Sequence, residues 1–404
     1  MRSAVRFRLP PELEAAAPPE ARGLRRDHVR LLLVDRATGS VDHHRFHELP
    51  RLLEPGDLLV ANDSRTLPAS LLGHTAAGAP LEVRLAARDG GGAGPAEGAG
   101  RAGSRKPGDG RGEGVERPGS RKPGDRGERW AALVLGVPAG GGDPALIPTD
   151  ARPPAPALAA GERLEFAGGL AATMLGRHEE AGPLVWLAFD LAGERLAQAL
   201  HRAGRPVRYA YVPRPWPLHQ YQTLFAAVPG SAEMASAGRP FTVQTLRDLR
   251  DRGIGLATIS LHAGLSTYGD PATDRRYVPA EPYLVPEATA DAVAACRAAG
   301  GRVVAIGTTV VRTLETAAAG GHGVKAGAGV TRLRIGPGHR LAAVDGLLTG
   351  LHEPEASHLD LLGAFLDRPA LDQAYAAALG SGYLWHEFGD VCLLLPRRSG
   401  SFPR

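Results

Sequence analysis

The sequence predicts an α/β domain, built on an open and mostly parallel sheet with flanking helices, and a small all-β barrel inserted into it. Short apolar runs at residues 31–34, 58–60 and 303–306 indicate buried strands that are separated by helical periodicity, which is typical of α/β domains. Between residues 67 and 207, short alternating runs bounded by turns take over, as in small barrels. We therefore expect residues 1–66 and 208–404 to form the α/β domain and residues 67–207 to form the barrel.

Composition limits the classes of protein that are possible. The chain has 404 residues, of which 43% are hydrophobic, so it is long enough for two or three domains with a sizeable core. The two cysteines predict no disulfide framework, and no apolar stretch approaches the roughly 20 residues of a membrane helix. We expect a cytoplasmic protein with no membrane partner. The net charge of +4 permits contact with nucleic acid without requiring it.

The first two predicted strands, at residues 31–35 and 58–60, are each followed by a polar cluster. Three histidines, at positions 43, 44 and 47, follow the first strand and could form a metal site, although we favour a solvated strand and turn. The second strand ends in Asn62, Asp63, Ser64 and Arg65. This cluster could be a turn only, but Arg65 supplies a fixed positive charge that suits a carboxylate or a phosphate.

The barrel strands are predicted at residues 69–73, 81–85, 130–135, 163–166, 171–175 and 184–189. They are interrupted at residues 89–128, where the segment GSRKPGD occurs twice among mixed charges with little apolar content. Such a composition predicts a disordered loop in an expanded hairpin, because there is no apolar surface to offset the cost of ordering it. Contact of this loop with RNA phosphates is the less favoured alternative.

A helix predicted at residues 194–203 leads into the segment RPVRYAYVPR, at residues 205–214. The interleaved arginines and tyrosines of this segment could clamp a planar ring or a nucleotide. The alternative is a proline-rich crossing over the surface, and the residues by themselves favour that alternative. Tyr221, Gln222 and Thr223 follow shortly afterwards.

Two later strands also end in polar residues. The strand at residues 254–261 ends at His262, which is placed for acid–base work or for ligand binding, although a lone histidine is more often structural. The segment 302–315, RVVAIGTTVVRTLE, predicts a strand, a turn and a helix. Its turn places the hydroxyls of Thr308 and Thr309 at the carboxyl end of the strand, with Arg312 in the first helical turn. The alternative is a threonine cap on a core helix.

Ten segments, in this order, match one family: LPPELEA, LLLVDRATG, FHELPRLLEPGDLLVANDSR, YQTLFA, SAGRPFT, ISLHAGLSTY, VVAIGTTVVRTLE, IGPGH, TGLHEPEASHLDLLGAF and FGD. The chain resembles the S-adenosylmethionine:tRNA ribosyltransferase-isomerase family of the queuosine pathway over nearly its whole length, outside residues 89–128. The resemblance implies a discontinuous α/β domain with an inserted barrel. It also implies transfer of the ribosyl group of S-adenosylmethionine, as co-substrate, to a 7-aminomethyl-7-deazaguanine base in the anticodon region of tRNA, with no metal.

The resemblance also implies which residues form the site. Catalytic roles fall on His262, Glu281 and Arg312. Substrate-binding roles fall on Asn62, Arg65, Tyr221, Gln222, Thr223, Ser236, Gly238, Gly307, Thr308, Thr309, His352 and Asp390. The chain departs from the family pattern where Pro240 and Pro279 replace histidines and where Ser236 replaces a threonine. Proline removes both the imidazole and a backbone donor.

Three functions stay open on these residues. The first, which we favour, is the family reaction on tRNA with altered side chains. The second is a diverged paralogue that binds S-adenosylmethionine but uses another acceptor, such as a small molecule. The third is a non-catalytic protein that binds a nucleotide or RNA. A monomer is expected, and the proton-abstracting group is either His262 or Glu281.

Overall fold

A computed structural model describes residues 6–89, 127–138, 152–354 and 356–396 of the chain. The loop predicted at residues 89–128 lies, except for its two ends, outside the described residues.

The helices and strands of the described residues are numbered along the chain. The strands are β1 (Arg30–Asp35), β2 (Val41–Arg45), β3 (Leu58–Asn62), β4 (Ser64–Thr66), β5 (Ser70–Thr75), β6 (Pro80–Arg88), β7 (Arg129–Gly136), β8 (Arg163–Phe166), β9 (Ala171–Arg177), β10 (Leu184–Phe189), β11 (Gly204–Arg205), β12 (Val228–Ser231), β13 (Gly255–Leu261), β14 (Glu281–Val285), β15 (Val303–Ile306), β16 (Gly327–Thr331), β17 (Gly346–Gly350) and β18 (Val391–Leu395). The α-helices are α1 (Leu49–Leu52), α2 (Gly193–Ala203), α3 (Val243–Asp251), α4 (Pro271–Arg276), α5 (Glu287–Ala298), α6 (Thr308–Ala317), α7 (Ser357–Leu362) and α8 (Arg368–Gly380).

Nine of the described strands form a large mixed sheet in the order β16-β14-β13-β3-β15-β17-β18-β1-β2. The neighbouring pairs β13–β3, β3–β15 and β15–β17 are parallel, so four adjacent strands run in one direction. β18 runs against β17, and β14 runs against β13. The carboxyl ends of β3, β13, β15 and β17 therefore meet at one edge of the sheet, where the amino end of β18 also lies.

Both faces of this sheet are covered, which explains why its central strands are apolar throughout. Alternate residues of β3 point to opposite faces: Leu58 and Val60 belong to one core cluster, and Leu59 and Ala61 to another. The first cluster is completed by apolar residues of α5, α6, α7 and α8. The second is completed by residues of α1 and α3.

Six antiparallel strands close into a barrel in the order β5-β6-β7-β10-β9-β8, because β8 pairs back with β5. Its interior is filled by side chains with no exposed surface, such as those of Leu71, Val83, Leu164 and Leu187. The predicted fold class, an α/β domain with a small all-β barrel, is thereby confirmed. The prediction that the sheet is mostly parallel is wrong, because four of the eight pairings among its described strands are antiparallel. The boundaries at residues 66/67 and 207/208 stay a prediction. Among the described helices, none is both long enough and apolar enough to cross a membrane.

Candidate active site

Asn62, the last residue of β3, joins three elements at the carboxyl edge of the sheet. Its side chain is buried, and Nδ2 donates to the carbonyl of Leu261 at 2.9 Å and to Oγ1 of Thr309 at 3.4 Å. Oδ1 accepts from the backbone N–H groups of Leu261 and Ser64, both at 3.0 Å. These four contacts use the whole amide, since it has two donors and two acceptor positions. Asn62 thus fixes β13 and α6 relative to β3.

His262 follows β13 at this edge and is held from two sides. Its Nδ1 lies 2.8 Å from Oγ of Ser64, and Ser64 in turn lies 2.6 Å from Oγ of Ser231. The imidazole covers Gly230 so closely that a Cβ there would lie 2.3 Å from Nδ1, so only glycine fits. Burial lowers the pKa of His262, and the charge of Arg88 lowers it further. The imidazole is therefore neutral at neutral pH and can accept a proton.

The segment after β15 forms the turn and helix that the sequence predicts, with one difference in its details. Gly307, with φ of 96°, is the N-cap of α6, and no side chain caps this helix end. The interpretation of Thr308 and Thr309 as helix caps is therefore wrong. Both are half-buried, and Thr309 accepts a hydrogen bond from Asn62. The first N–H groups of a helix have no intrahelical partner, so this end of α6 presents donors at the edge of the sheet.

Arg312 and Glu281 form an ion pair beside His262. The expected position of Arg312 in the first turn of α6 is wrong, because Arg312 is the fifth residue of the helix and lies in its second turn. Its guanidinium contacts the carboxylate of Glu281, the first residue of β14. Burial lowers the pKa of Arg312 to about 10, so it stays charged at neutral pH. Nε of Arg312 has no hydrogen-bond partner among the described residues.

His352, after β17, lies in a second imidazole cluster near this ion pair. Its ring stacks on that of His358 at 4.7 Å between centroids, and its Nε2 lies 2.9 Å from Oγ1 of Thr349. Burial lowers the pKa of His352 well below its usual value, and the charge of His358 adds to this. Burial also lowers the pKa of His358 to about 4, with a contribution from the charge of Arg312. Both rings are thus neutral at neutral pH.

Several predicted substrate-binding residues have structural partners. Gln222 accepts from the backbone N–H of Thr66 and donates to its carbonyl. Asp390 accepts from the backbone N–H groups of Arg30 and Leu384, at 2.7 and 2.8 Å. These hydrogen bonds within the protein already occupy the two side chains. A ligand would therefore have to displace those bonds or bind to the lone pairs that remain.

The other predicted residues lie around the same carboxyl edge of the sheet, and fewer contacts within the protein hold their side chains. Thr223 packs next to Gly238, where a Cβ would lie 3.3 Å from its methyl group. Ser236 lies in the same short helical segment as Gly238, and Ala237 between them reaches Gly307. Tyr221 is buried against Phe388, whereas Arg65 is exposed on β4.

Two half-buried acidic residues were not anticipated from the sequence. Glu233 accepts from the N–H of Ser266 at 2.7 Å and from the hydroxyl of Tyr209. Burial raises the pKa of Glu233 to about 7 and that of Glu387 to about 8, and the charge of Glu233 contributes to the second shift. The aromatic pair Tyr209 and Tyr211 lies beside them. Glu387 stands directly before the matched FGD segment, and that position is the one signal that could have drawn attention to it.

Ser64, Ser231 and His358 were also missed as site residues. Ser64 belongs to the polar cluster that ends β3, so its neighbourhood was predicted although its bond to His262 was not.

Among the described residues, no group of three His, Cys, Asp or Glu side chains could hold a metal ion. His43, one of the three clustered histidines, bonds to the hydroxyl of Tyr383. The prediction of a site without metal stays a prediction.

The fold and this edge define an α/β protein with acid–base groups, helix N–H donors and a buried ion pair at one candidate site. The chain belongs to the family described as "Queuosine biosynthesis protein", whose model matches residues 2–394. The predicted family resemblance is confirmed.

Similar proteins cover almost the same length. S-adenosylmethionine:tRNA ribosyltransferase-isomerase from Moorella thermoacetica is 35% identical over 96% of this chain and 98% of its own. The protein of the same name from Anaeromyxobacter sp. (strain K) is 36% identical over 97% and 98%. A crystal structure of S-adenosylmethionine tRNA ribosyltransferase from Thermotoga maritima, 28% identical, covers 96% of this chain and 99% of that chain, with a TM-score of 0.48.

Proposed function

We propose that this protein transfers and isomerises the ribosyl group of S-adenosylmethionine onto a 7-aminomethyl-7-deazaguanine base in tRNA, which gives epoxyqueuosine. The observation that carries this proposal is the end-to-end match to relatives named for this reaction, at 35% identity over 96% of the chain. The carboxyl edge of the sheet supports it, because neutral imidazole, carboxylate, guanidinium and helix N–H groups converge there.

The reaction sets clear requirements for the site. The sulfonium of S-adenosylmethionine makes the neighbouring C–H groups acidic, so a base is needed to take a proton from the adjacent carbon. The bonds from C1′ of the ribose to adenine and to the ring oxygen break, and C1′ bonds instead to the acceptor amine and to C5′. At C5′ the ring oxygen replaces the methionine sulfur and closes the epoxide. Adenine and methionine leave, and one proton is released overall.

His262 is the base in this proposal. Glu281 shares its carboxylate with Arg312, which makes it a weaker proton acceptor than a neutral imidazole at the same pH. Ser64 engages Nδ1 of His262, so Nε2 is the ring nitrogen that takes the proton. Glu281 supplies negative charge near the sulfonium, and its contact with Arg312 fixes the position of that carboxylate.

The amino end of α6 supplies the donors that the nucleoside part needs. Thr308 and Thr309 offer hydroxyls and the first N–H groups of the helix, which Asn62 holds in register with β3. Ser236 and Gly238 flank Ala237, whose Cβ would lie 3.6 Å from a Cβ at Gly307, so we assign them to the same binding region. The remaining residues named for substrate binding, Arg65, Tyr221, Gln222, Thr223, His352 and Asp390, surround this edge of the sheet.

The test is release of adenine from S-adenosylmethionine, followed chromatographically with and without tRNA that carries the deazaguanine base. We expect release that depends on the modified tRNA. Release that is independent of tRNA would replace this acceptor with another one, and no release with any acceptor would overturn the enzymatic function.

A further inference from the structure

A cavity of about 440 Å³ lies between the barrel and the segment that leads back to the sheet. β5 and β6 supply one wall, including Ser70, Glu82 and Arg84, and residues 204–221 supply the other. Its size falls within the range of about 300–1,000 Å³ that is usual for small-ligand sites. The second wall contains the segment of interleaved arginines and tyrosines, to which the proposed reaction assigns no part.

The floor of this cavity is a fixed charge network. Glu82 accepts from Nε of Arg84 at 2.7 Å and from Oγ of Ser70 at 2.9 Å, and it also pairs with Arg152. Burial acts to raise the pKa of Glu82, but the charges of Arg84 and Arg152 outweigh it and hold this pKa below its usual value. Arginines and carboxylate are thus both charged and locked in place.

Among the described residues, those that line this cavity carry more positive than negative charge. Arg84, Arg152, Arg205 and Arg208 line the cavity, against Glu82. Arg205 is exposed at the rim, whereas Arg208 is buried and donates to the carbonyl of Val212. A cavity with this balance attracts an anion and repels a cation.

Two buried polar atoms in the wall have no hydrogen-bond partner among the described residues. They are Nε1 of Trp216 and the hydroxyl of Tyr221, whose side chain is 2% exposed. Buried donors are normally hydrogen-bonded, so two such groups in the wall of one cavity indicate an acceptor that enters from outside. The indole of Trp216 also supplies a flat surface on which a base can stack.

Tyr221 connects this cavity with the candidate active site. Its ring packs on Phe388 at 5.1 Å between centroids, two residues before Asp390. Burial raises the pKa of Tyr221, and the charge of Glu387 raises it further. A ligand in the cavity would therefore be a neighbour of a ligand at the sheet edge.

We propose that this cavity holds a nucleotide that flanks the target base of the RNA acceptor, with its phosphate on Arg205 and Arg208 and its ring against Trp216. This inference rests on the proposed function and adds where the RNA is held. S-adenosylmethionine has a net positive charge, because its sulfonium and ammonium groups outweigh its one carboxylate, and the target base carries an aminomethyl cation. Among the parts of the substrates, the RNA phosphates therefore best suit an arginine-rich lining.

The experiment measures binding of deazaguanine-bearing tRNA by fluorescence anisotropy over a series of KCl concentrations. Arg205→Gln should weaken binding and reduce the slope of log Kd against log salt by about 0.7, the value for one lost contact to a single-stranded phosphate. Trp216→Phe keeps a ring but removes the donor, and it should weaken binding roughly 2- to 10-fold. The control is Arg252→Gln, an exposed arginine at the opposite edge of the sheet, which should change neither quantity.

Affinity for S-adenosylmethionine, measured by calorimetry, should stay unchanged in all three variants. An unchanged salt slope in Arg205→Gln would overturn the inference, and so would a loss of S-adenosylmethionine affinity with RNA affinity intact. Binding is measured without turnover, so failure of the wild-type protein to release adenine would count against the proposed function alone.

Discussion

Arg312 of α6 and Glu281 of β14 form an ion pair in which the arginine side chain is 19% exposed and the glutamate side chain 6% exposed. Burial of two opposite charges is tolerated only while both are present, since removing one leaves the other without compensation. The pair therefore contributes both to the stability of the sheet edge and to the charge at the candidate active site.

Arg312→Ala should lower both stability and activity. Loss of one member of a buried pair costs about 3–5 kcal/mol, and we expect the lower end because Arg312 retains some exposure. The double variant Arg312→Ala, Glu281→Gln should recover much of that stability, since it removes the unpaired charge. It should not recover adenine release. Chemical unfolding and adenine release measured on all three proteins check this, and full recovery of activity in the double variant would make the pair purely structural.

His262→Gln should reduce kcat for adenine release by about 100-fold or more if His262 is the base. The pKa of His262 is lowered, so the imidazole is neutral and active above that pKa and loses activity as the pH falls through it. The acidic limb of the wild-type kcat profile should accordingly have its midpoint below 6.5. Glu281→Gln should keep that midpoint, and a limb that disappears in this variant instead would assign the base to Glu281.

Ser64→Ala tests the positioning of His262, because it removes the hydroxyl that holds Nδ1. We expect a reduction in kcat of roughly 3- to 10-fold, the usual effect of one lost hydrogen bond, with KM for S-adenosylmethionine nearly unchanged. Ser64→Thr, which retains a hydroxyl, should recover part of the loss. Equal losses in both variants would show that the serine matters for packing only.

Glu233 and Glu387 predict a loss of stability at alkaline pH. Their pKa values are raised to about 7 and about 8, so the folded protein binds protons that the unfolded chain has already released above about pH 4.5. The protons held by these two carboxyl groups therefore stabilise the folded protein near pH 4.5. This contribution to the free energy of unfolding decreases as the pH rises through 7 and 8. Each group contributes at most about 1.4 kcal/mol per pH unit.

Glu387→Gln should flatten this dependence when the free energy of unfolding in urea is compared at pH 6.5 and 8.5. Glu165→Gln, at an exposed position of β8, serves as the matched control and should keep the wild-type slope. A wild-type protein that is equally stable at both pH values would contradict the raised pKa values.

Replacement of residues 90–126 by a short glycine-rich turn should leave activity intact and change the melting temperature by only a few degrees. The chain on either side is already paired, with Arg88 opposite Trp130 and the N–H of Asp89 bonded to the carbonyl of Arg129. A short loop can therefore close the β6–β7 hairpin, and long loops change stability little. A large loss of adenine release would assign a role to the segment.

The sequence predicted the sheet and barrel well because their strands are local patterns of apolar residues. It also predicted the turn at Gly307, since a glycine between a buried strand and a helix has few other uses. The sequence could not predict the partner of Arg312, because Glu281 lies on β14, which is not adjacent to β15 in the sheet. The role of Gln222 was likewise hidden: its amide ties to the backbone of Thr66, and no side-chain pattern reports on a backbone partner.

The position of β18 between β17 and β1 has a consequence for how the protein is made. Arg30 and Asp390, which hydrogen-bond at the start of β1, are 360 positions apart. The barrel strands are contiguous in the chain, so the barrel can form while translation continues. The sheet must wait until β18 has left the ribosome, and until then β1 and β17 each keep an open edge. Aggregation during synthesis is therefore a hazard of this topology, and a chaperone that shields those two edges would raise the yield of folded protein.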